Sequence, residues 1–262
     1  FDVALKHQEL HDTPLAWFTE FRATRPFELT ENDDPIELSP VNDGGNFISS
    51  VLRIKDLLES GDVYQVNLTQ KLVGDLKNST TDIFSRLVRT QPSPYAMLIE
   101  SDDFSICSAS PELFFSKRGK VIEMQPKKGT RERGRFNEED QKNKEDLKTS
   151  EKDRAENLMI LDMVRNDLGK VCVPGSLSTP ALFELHSFPT VWQQTSSVQG
   201  ETVCSLAEIF SSVFPCASVT GAPKVRAMEI IAELEHYPRG VYTGAMGYLK
   251  PGGEILFNVS IY

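Results

Sequence analysis

Two adjacent lysines, Lys127 and Lys128, follow a strand-like run and precede Gly129-Thr130. The second could project from a strand end into a cleft beside exposed backbone, and a lysine desolvated there would be a usable nucleophile or base. On composition alone the same pair fits two solvated lysines in a charged loop. Glu112 follows Ser110-Pro111 at the start of another strand-like segment. Burial would raise its pKa and make it a general acid, whereas exposure would leave an ordinary surface glutamate. Asp153 and Glu156 share one face of a helical pattern that also carries Ile160 and Met163. Two carboxylates at a core boundary need hydrogen bonds or a cation, and an oxygen-only pair suits Mg²⁺. The alternative is a pair of first-turn acids favoured by the helix dipole. Thr220-Gly221-Ala222-Pro223 sets a flexible turn before a helix-initiating proline, which offers backbone N–H groups to a carboxylate or phosphate. The P-loop spacing is absent, and His7, His11, His186 and His236 form no paired arrangement for a triad or a histidine metal site.

These residues must be positioned by the surrounding elements. Residues 1–45, with Pro14, Pro26, Pro35, Pro40 and Gly44-Gly45, read as a short lead-in with one helix candidate from Leu15 to Phe21. Residues 46–262 read as one catalytic domain. Phe47, Val51, Ile54 and Leu58 recur at helical spacing before Gly61, which places a helix near 46–60. Alternation from Val63 to Val73 indicates a strand, and a helix follows at 82–89. Strands are expected at 95–100, 104–109, 113–116 and 121–125, as an antiparallel meander. Residues 129–150 are rich in both charges and almost without apolar side chains, which suggests a solvated loop or short helix. Ser150 caps a helix over 151–166. Further strands are expected near 176–178, 182–184, 191–198, 244–249 and 255–261, with helices at 205–212 and 223–235. Strands in runs between single helices indicate an α+β layered fold rather than a doubly wound sheet.

The chain has 28 Lys+Arg against 38 Asp+Glu, a formal charge of −10, which argues against nucleic acid as a partner. Its 39% hydrophobic content fits a globular protein. Cys107, Cys172, Cys204 and Cys216 are scattered, without CxxC or metal-finger spacing, and read as reduced thiols of a cytoplasmic protein. No apolar window reaches the roughly 18 residues of a membrane helix. The chain opens at Phe1 without Met and stops at Tyr262 inside a strand-like run, so we expect an excerpt of a longer protein.

Taken together, Gly61-Asp62-Val63-Tyr64-Gln65-Val66-Asn67-Leu68, Ser110-Pro111-Glu112, Pro126-Lys127-Lys128-Gly129-Thr130, Asp153-Arg154-Ala155-Glu156-Asn157 with Val164-Arg165-Asn166-Asp167, and Ser218-Val219-Thr220-Gly221-Ala222-Pro223-Lys224 resemble the chorismate-utilising enzymes. This family includes the first components of anthranilate synthase and aminodeoxychorismate synthase, and the resemblance covers roughly 46–262. Members that make aminodeoxychorismate carry lysine in a Pro-x-Lys-Gly-Thr motif, where anthranilate synthases carry a small residue; Lys128 stands at that position. The resemblance implies that Lys128 attacks C2 of chorismate as the 4-hydroxyl leaves, and that ammonia then enters at C4, giving 4-amino-4-deoxychorismate for 4-aminobenzoate and folate. It implies Glu112 as the acid, Glu156 as a Mg²⁺ ligand with Asp153 more peripheral, and Gly129, Thr130, Thr220, Gly221 and Tyr242 at or beside substrate contacts. It also implies a large α+β sandwich of two facing sheets with helices outside and the site between the layers.

This sequence departs from the family pattern in three places. Val191-Trp192-Gln193-Gln194 stands where many relatives have a histidine, the family's second metal-binding glutamate lies beyond Tyr262, and feedback tryptophan pockets belong to longer N-terminal regions. The chain shows no Cys-His-Glu glutaminase signature, so the resemblance implies a glutamine amidotransferase partner. Alternatives are anthranilate synthase component I, salicylate or isochorismate synthase, and a non-catalytic chorismate-binding or scaffolding protein.

Overall fold

The structure, a computed structural model, describes residues 19–20, 27–32, 34–41 and 44–261. The helix expected from Leu15 to Phe21 falls almost wholly outside these residues. Strand β1 is the short Ser39–Pro40, and helix α1 spans Gly44–Glu59. Ile54 and Leu57 turn one face of α1 inward against Val63 and Ile230, in a small satellite core. The chain from Val63 to Val73 is extended but is not one strand. It supplies β2 (Gln65–Val66) and β3 (Leu72–Val73), the latter paired with β1. Between them the backbone finds other partners, with Asn67 N–H donating to Thr220 O at 2.8 Å and Thr69 N–H to Glu235 Oε1 at 2.8 Å. The alternation had suggested one ladder, and these side-chain and loop acceptors replace it.

Helix α2, Thr80–Thr90, starts at a full capping box between Ser79 and Asp82. β4 (Met97–Glu100) and β5 (Ser105–Ser108) form a separate two-stranded sheet. The meander therefore splits, and β6 (Leu113–Arg118) and β7 (Val121–Met124) form the next hairpin about Gly119, whose φ is +59°. Pro126 has no N–H for the ladder, so it ends β7; the chain resumes along the same edge as β8, Lys127–Glu132.

Residues 129–150, expected as a solvated loop or short helix, instead complete β8 and form the whole of helix α3, Asn137–Thr149. The polarity of α3 hides its inner face. Leu147 is fully buried, and Asp140 accepts from Arg133 Nε at 2.6 Å and Trp192 Nε1 at 3.0 Å. Helix α4, Glu151–Gly169, is capped by the Ser150 hydroxyl, and β9 (Ser178–Ser187) and β10 (Val191–Glu201) form a long hairpin. Helix α5 (Leu206–Val213), a 3-10 turn at Ala217–Val219, strand β11 (Gly221–Ala222) and helix α6 (Lys224–Leu234) follow. β12 (Ala245–Leu249) and β13 (Ile255–Val259) end the described chain.

Seven strands make one antiparallel sheet running β12, β13, β6, β7 and β10, with β8 and β9 flanking β10. β11 pairs with β2 in a separate two-stranded sheet. The α+β expectation holds. Phe114, Phe115, Ile122, Met124, Val198 and Phe257 pack from the sheet against Ile160, Leu161, Val164 and Leu168 of α4 and Ile209 and Val213 of α5. Each such fully buried side chain is worth about 1.5–3 kcal/mol. This core makes the sheet and α4 a rigid frame for the residues at its edge.

Candidate active site

The pairing of β8 with β10 sets the geometry. Gln193 lies opposite Thr130 and Thr195 opposite Lys127, so Gln194 alone faces both Lys128 and Gly129. Two residues against one is a β-bulge, a device that re-aims side chains. Gly129 has φ +91°, and a Cβ there would stand 3.0 Å from Leu147 Cδ1 and 3.1 Å from Asp153 Cβ. Only glycine fits both the conformation and the space. At this bulge Lys128 Nζ donates to the Ser218 carbonyl at 3.2 Å, while the Lys128 carbonyl accepts from Asn157 Nδ2 at 3.4 Å. Asn157 is fixed in turn by the Ser196 hydroxyl, which donates to Asn157 Oδ1 at 2.5 Å.

Glu112 precedes β6 and is almost completely buried. Its backbone is anchored, the N–H donating to Ser110 Oγ at 3.2 Å and the carbonyl accepting from Val259 N–H at 3.2 Å. Burial pushes its carboxyl above the ordinary value, against the opposing pull of the Ser218 hydroxyl, the charges of Lys128 and Lys127, and the Lys127 N–H. Its Oε1 has no hydrogen-bond partner within the protein. A raised pKa favours the protonated form that a general acid needs. Behind it, Cys216 Sγ lies 3.2 Å from Ser218 Oγ, and burial pushes this thiol up to about 12, so it stays protonated.

Lys127 is the second cation. Burial pushes its pKa down to about 8, against the charge of Glu112. Its Nζ lies 3.5 Å from Gln193 Oε1 and 4.4 Å from the centre of the Phe188 ring. Asn157 and Ser218 were not among the sequence-level site residues, and of the two lysines the sequence reading gave a role only to the second. Each lies within or beside a motif that was, so the signal was adjacency rather than residue type.

The remaining candidates divide. Asp153 Oδ2 accepts from Arg131 Nη2 at 2.8 Å, and Arg131 is also held by Asp146 at 2.5 Å. Glu156 is more exposed and lies 3.8 Å from Lys152. Among the described residues no three His, Cys, Asp or Glu side chains come together to hold a metal ion. Of the two acids expected to hold Mg²⁺, Glu156 is the more accessible and Asp153 is engaged by arginine. Thr130 is exposed at the mouth of the bulge. Thr220 is buried and turns its hydroxyl back to the Cys216 carbonyl at 3.1 Å. Gly221 packs so tightly on β2 that a Cβ would collide with the Gln65 carbonyl. Tyr242 is 48% exposed in the turn after Arg239, and among the described residues no hydrogen bond ties it to Glu112 or Lys128. Arg239 braces this side, reaching the Val219 carbonyl at 2.9 Å and the Asn67 carbonyl at 2.6 Å.

The sequence matches the chorismate binding enzyme family over residues 3–261. It is 39% identical over 261 residues to aminodeoxychorismate synthase component 1 of Bacillus subtilis, covering 97% of this chain and 55% of that protein. Anthranilate synthase component 1 of Saccharolobus solfataricus is 38% identical over 208 residues, 79% of this chain and 49% of that protein. The solved anthranilate synthase component I from Streptococcus pneumoniae superposes with TM-score 0.81 at 31% identity, over 92% of this chain and 54% of that one. The menaquinone-specific isochorismate synthase of Escherichia coli, at 16% identity and TM-score 0.68 over 92% of this chain and 56% of that one, shares the fold. The chain spans about half the length of the curated relatives it matches.

Proposed function

This chain belongs to the chorismate binding enzyme family, and from that premise we propose that it aminates chorismate to 4-amino-4-deoxychorismate, as the chorismate-converting component of an aminodeoxychorismate synthase. The observation that carries this reading is Lys128, set at the bulge near a buried Glu112 whose pKa is raised by burial. Relatives named aminodeoxychorismate synthase component 1 at 38–41% identity support it.

In this reading neutral Lys128 attacks C2 of chorismate. Both ring double bonds shift, to C1=C6 and C4=C5, and the 4-hydroxyl leaves as water on taking the Glu112 proton. Ammonia then attacks C4, both double bonds shift back, and the Lys128 amine is expelled from C2. The new ammonium returns one proton to Glu112, which restores the starting state. The Ser218 carbonyl orients Lys128 in the resting site, and Asn157 holds the bulge in register. We further propose that Glu156 holds Mg²⁺, which when bound would supply positive charge to the substrate's ring carboxylate.

The name component 1 borne by the relatives supports a partner component, which we take to be a glutamine amidotransferase supplying ammonia. We place the protein in the cytoplasm on its four free thiols. Among the described residues no helix is long and apolar enough to cross a membrane.

Purified protein incubated with chorismate, Mg²⁺ and ammonium at alkaline pH, followed by mass spectrometry with and without a coupling lyase, tests this. An amino-substituted, pyruvate-retaining product that the lyase converts to 4-aminobenzoate is expected, and Lys128→Ala abolishes it. Anthranilate as the product, or unchanged turnover in Lys128→Ala, would overturn the assignment.

A further inference from the structure

Lys127 is a half-buried cation that the chemistry above leaves unused. Residues opposed in an antiparallel ladder share a face, so Lys127, Thr130, Gln193 and Thr195 all lie on one side of the sheet. Ser196, one residue on, turns to the other side and meets α4 through Asn157. Glu112 lies close enough to Lys127 for the two charges to act on each other. Gln193 Oε1 takes one Nζ donor and the Phe188 ring covers another side of the ammonium. An ammonium has three donors, so at least one is left for a ligand.

The surrounding charges leave this cation undercompensated. Burial raises the Glu112 pKa and so weakens the negative charge it offers Lys127. His186, opposite Gln193 on β9, has its pKa lowered by burial and by Lys127 itself. Glu184, opposite Thr195 and 3.8 Å from His186, is largely exposed and screened by water. Among the described residues no carboxylate pairs directly with Lys127, and Glu112 acts on it only through its charge. Chorismate is a dianion, and a carboxylate is the partner this arrangement lacks.

We propose that Lys127 is a substrate-contacting residue whose ammonium pairs with a carboxylate of chorismate, aimed by Gln193 and Phe188, while Lys128 performs the covalent step. The inference rests on the reading that this site takes chorismate. It divides two adjacent lysines by task, Lys127 for binding and Lys128 for bond making, with the bulge as the feature that separates their directions.

The test is chorismate affinity by calorimetry without ammonium, together with steady-state KM and kcat, for wild type, Lys127→Met, Lys127→Gln and Lys127→Arg. Losing a charge-assisted pair is expected to raise Kd and KM about tenfold or more, with kcat changed less than about threefold, and Lys127→Arg restores binding. Wild-type affinity falls as pH rises past about 8, whereas Lys127→Arg holds its affinity to higher pH because guanidinium stays charged. If Met perturbs folding, Gln keeps a polar stem and must show the same loss. Unchanged Kd and KM in both neutral variants, or a loss of kcat at unchanged Kd, overturns the proposal. A wild-type chain that binds chorismate but makes no aminodeoxychorismate overturns the amination reading alone, since the Kd comparison still reads out Lys127.

Discussion

The side-chain nitrogen of Lys128 and the backbone carbonyl of Ser218 meet at 3.2 Å, and the hydroxyl of the same serine acts on the carboxyl of Glu112. One residue of the 3-10 turn thus ties the proposed nucleophile to the proposed acid. Lys128 comes from a strand edge and Glu112 from the start of another strand, so their relative position depends on this turn as well as on the sheet.

Glu112 links activity to pH-dependent stability. Its pKa is raised on folding from an ordinary value of 4.5. The folded state then binds more protons than the unfolded state, so stability declines as pH rises from about that value toward the folded pKa. Glu112→Gln keeps the shape and removes the titration. Thermal melts across pH should show a flatter decline for the variant than for wild type, and product formation should fall at least about 100-fold. An identical pH dependence of the two melting curves would contradict the buried-acid assignment.

Gly129→Ala forces a side chain into a φ of +91° and against Leu147 and Asp153. The strain should cost about 1–3 kcal/mol in urea unfolding. Because Gly129 is half of the bulge, kcat should fall further than stability alone explains, measured at a temperature where both proteins are folded. Retained kcat in a destabilised variant would separate the bulge from Lys128 aim.

Arg239 holds Glu235 through two contacts of 2.6 and 2.8 Å and also binds the carbonyls of Val219 and Asn67. Both side chains are largely buried. Arg239→Met leaves Glu235 without its cation and should destabilise by about 3–5 kcal/mol in denaturant titrations. Arg239→Lys should recover only part of this, because an ammonium cannot reproduce the fork.

Asp140 accepts from Arg133, the Gly134 N–H and the Trp192 indole, and the Arg133 guanidinium chiefly holds its carboxyl far below the usual range. A carboxylate with a depressed folded pKa contributes stability present above its unfolded value of 3.8 and lost as pH falls below that toward the folded pKa. Urea midpoints should therefore drop from pH 5 to pH 2.5 more steeply in wild type than in Asp140→Asn, which lacks this titration. Equal slopes would show that the α3 anchor carries no proton linkage.

Local pattern sufficed where each element's inner face was made of its own apolar residues. Helical spacing placed α1, α2, α4, α5 and α6, and alternation with turn residues placed β6, β7, β10, β12 and β13. The types and order of Ser110-Pro111-Glu112 and Pro126-Lys127-Lys128-Gly129-Thr130 pointed to an acid and a lysine nucleophile, yet left open whether either was buried. Only the tertiary structure decided that, because burial of Glu112 and Lys127 depends on β6, β8, β10 and the 3-10 turn meeting from distant parts of the chain. Helix α3 escaped the pattern because one leucine and one ion-paired aspartate anchor it. The bulge opposite Gln194 is a matter of register between two strands, and register is a property of the pair rather than of either sequence.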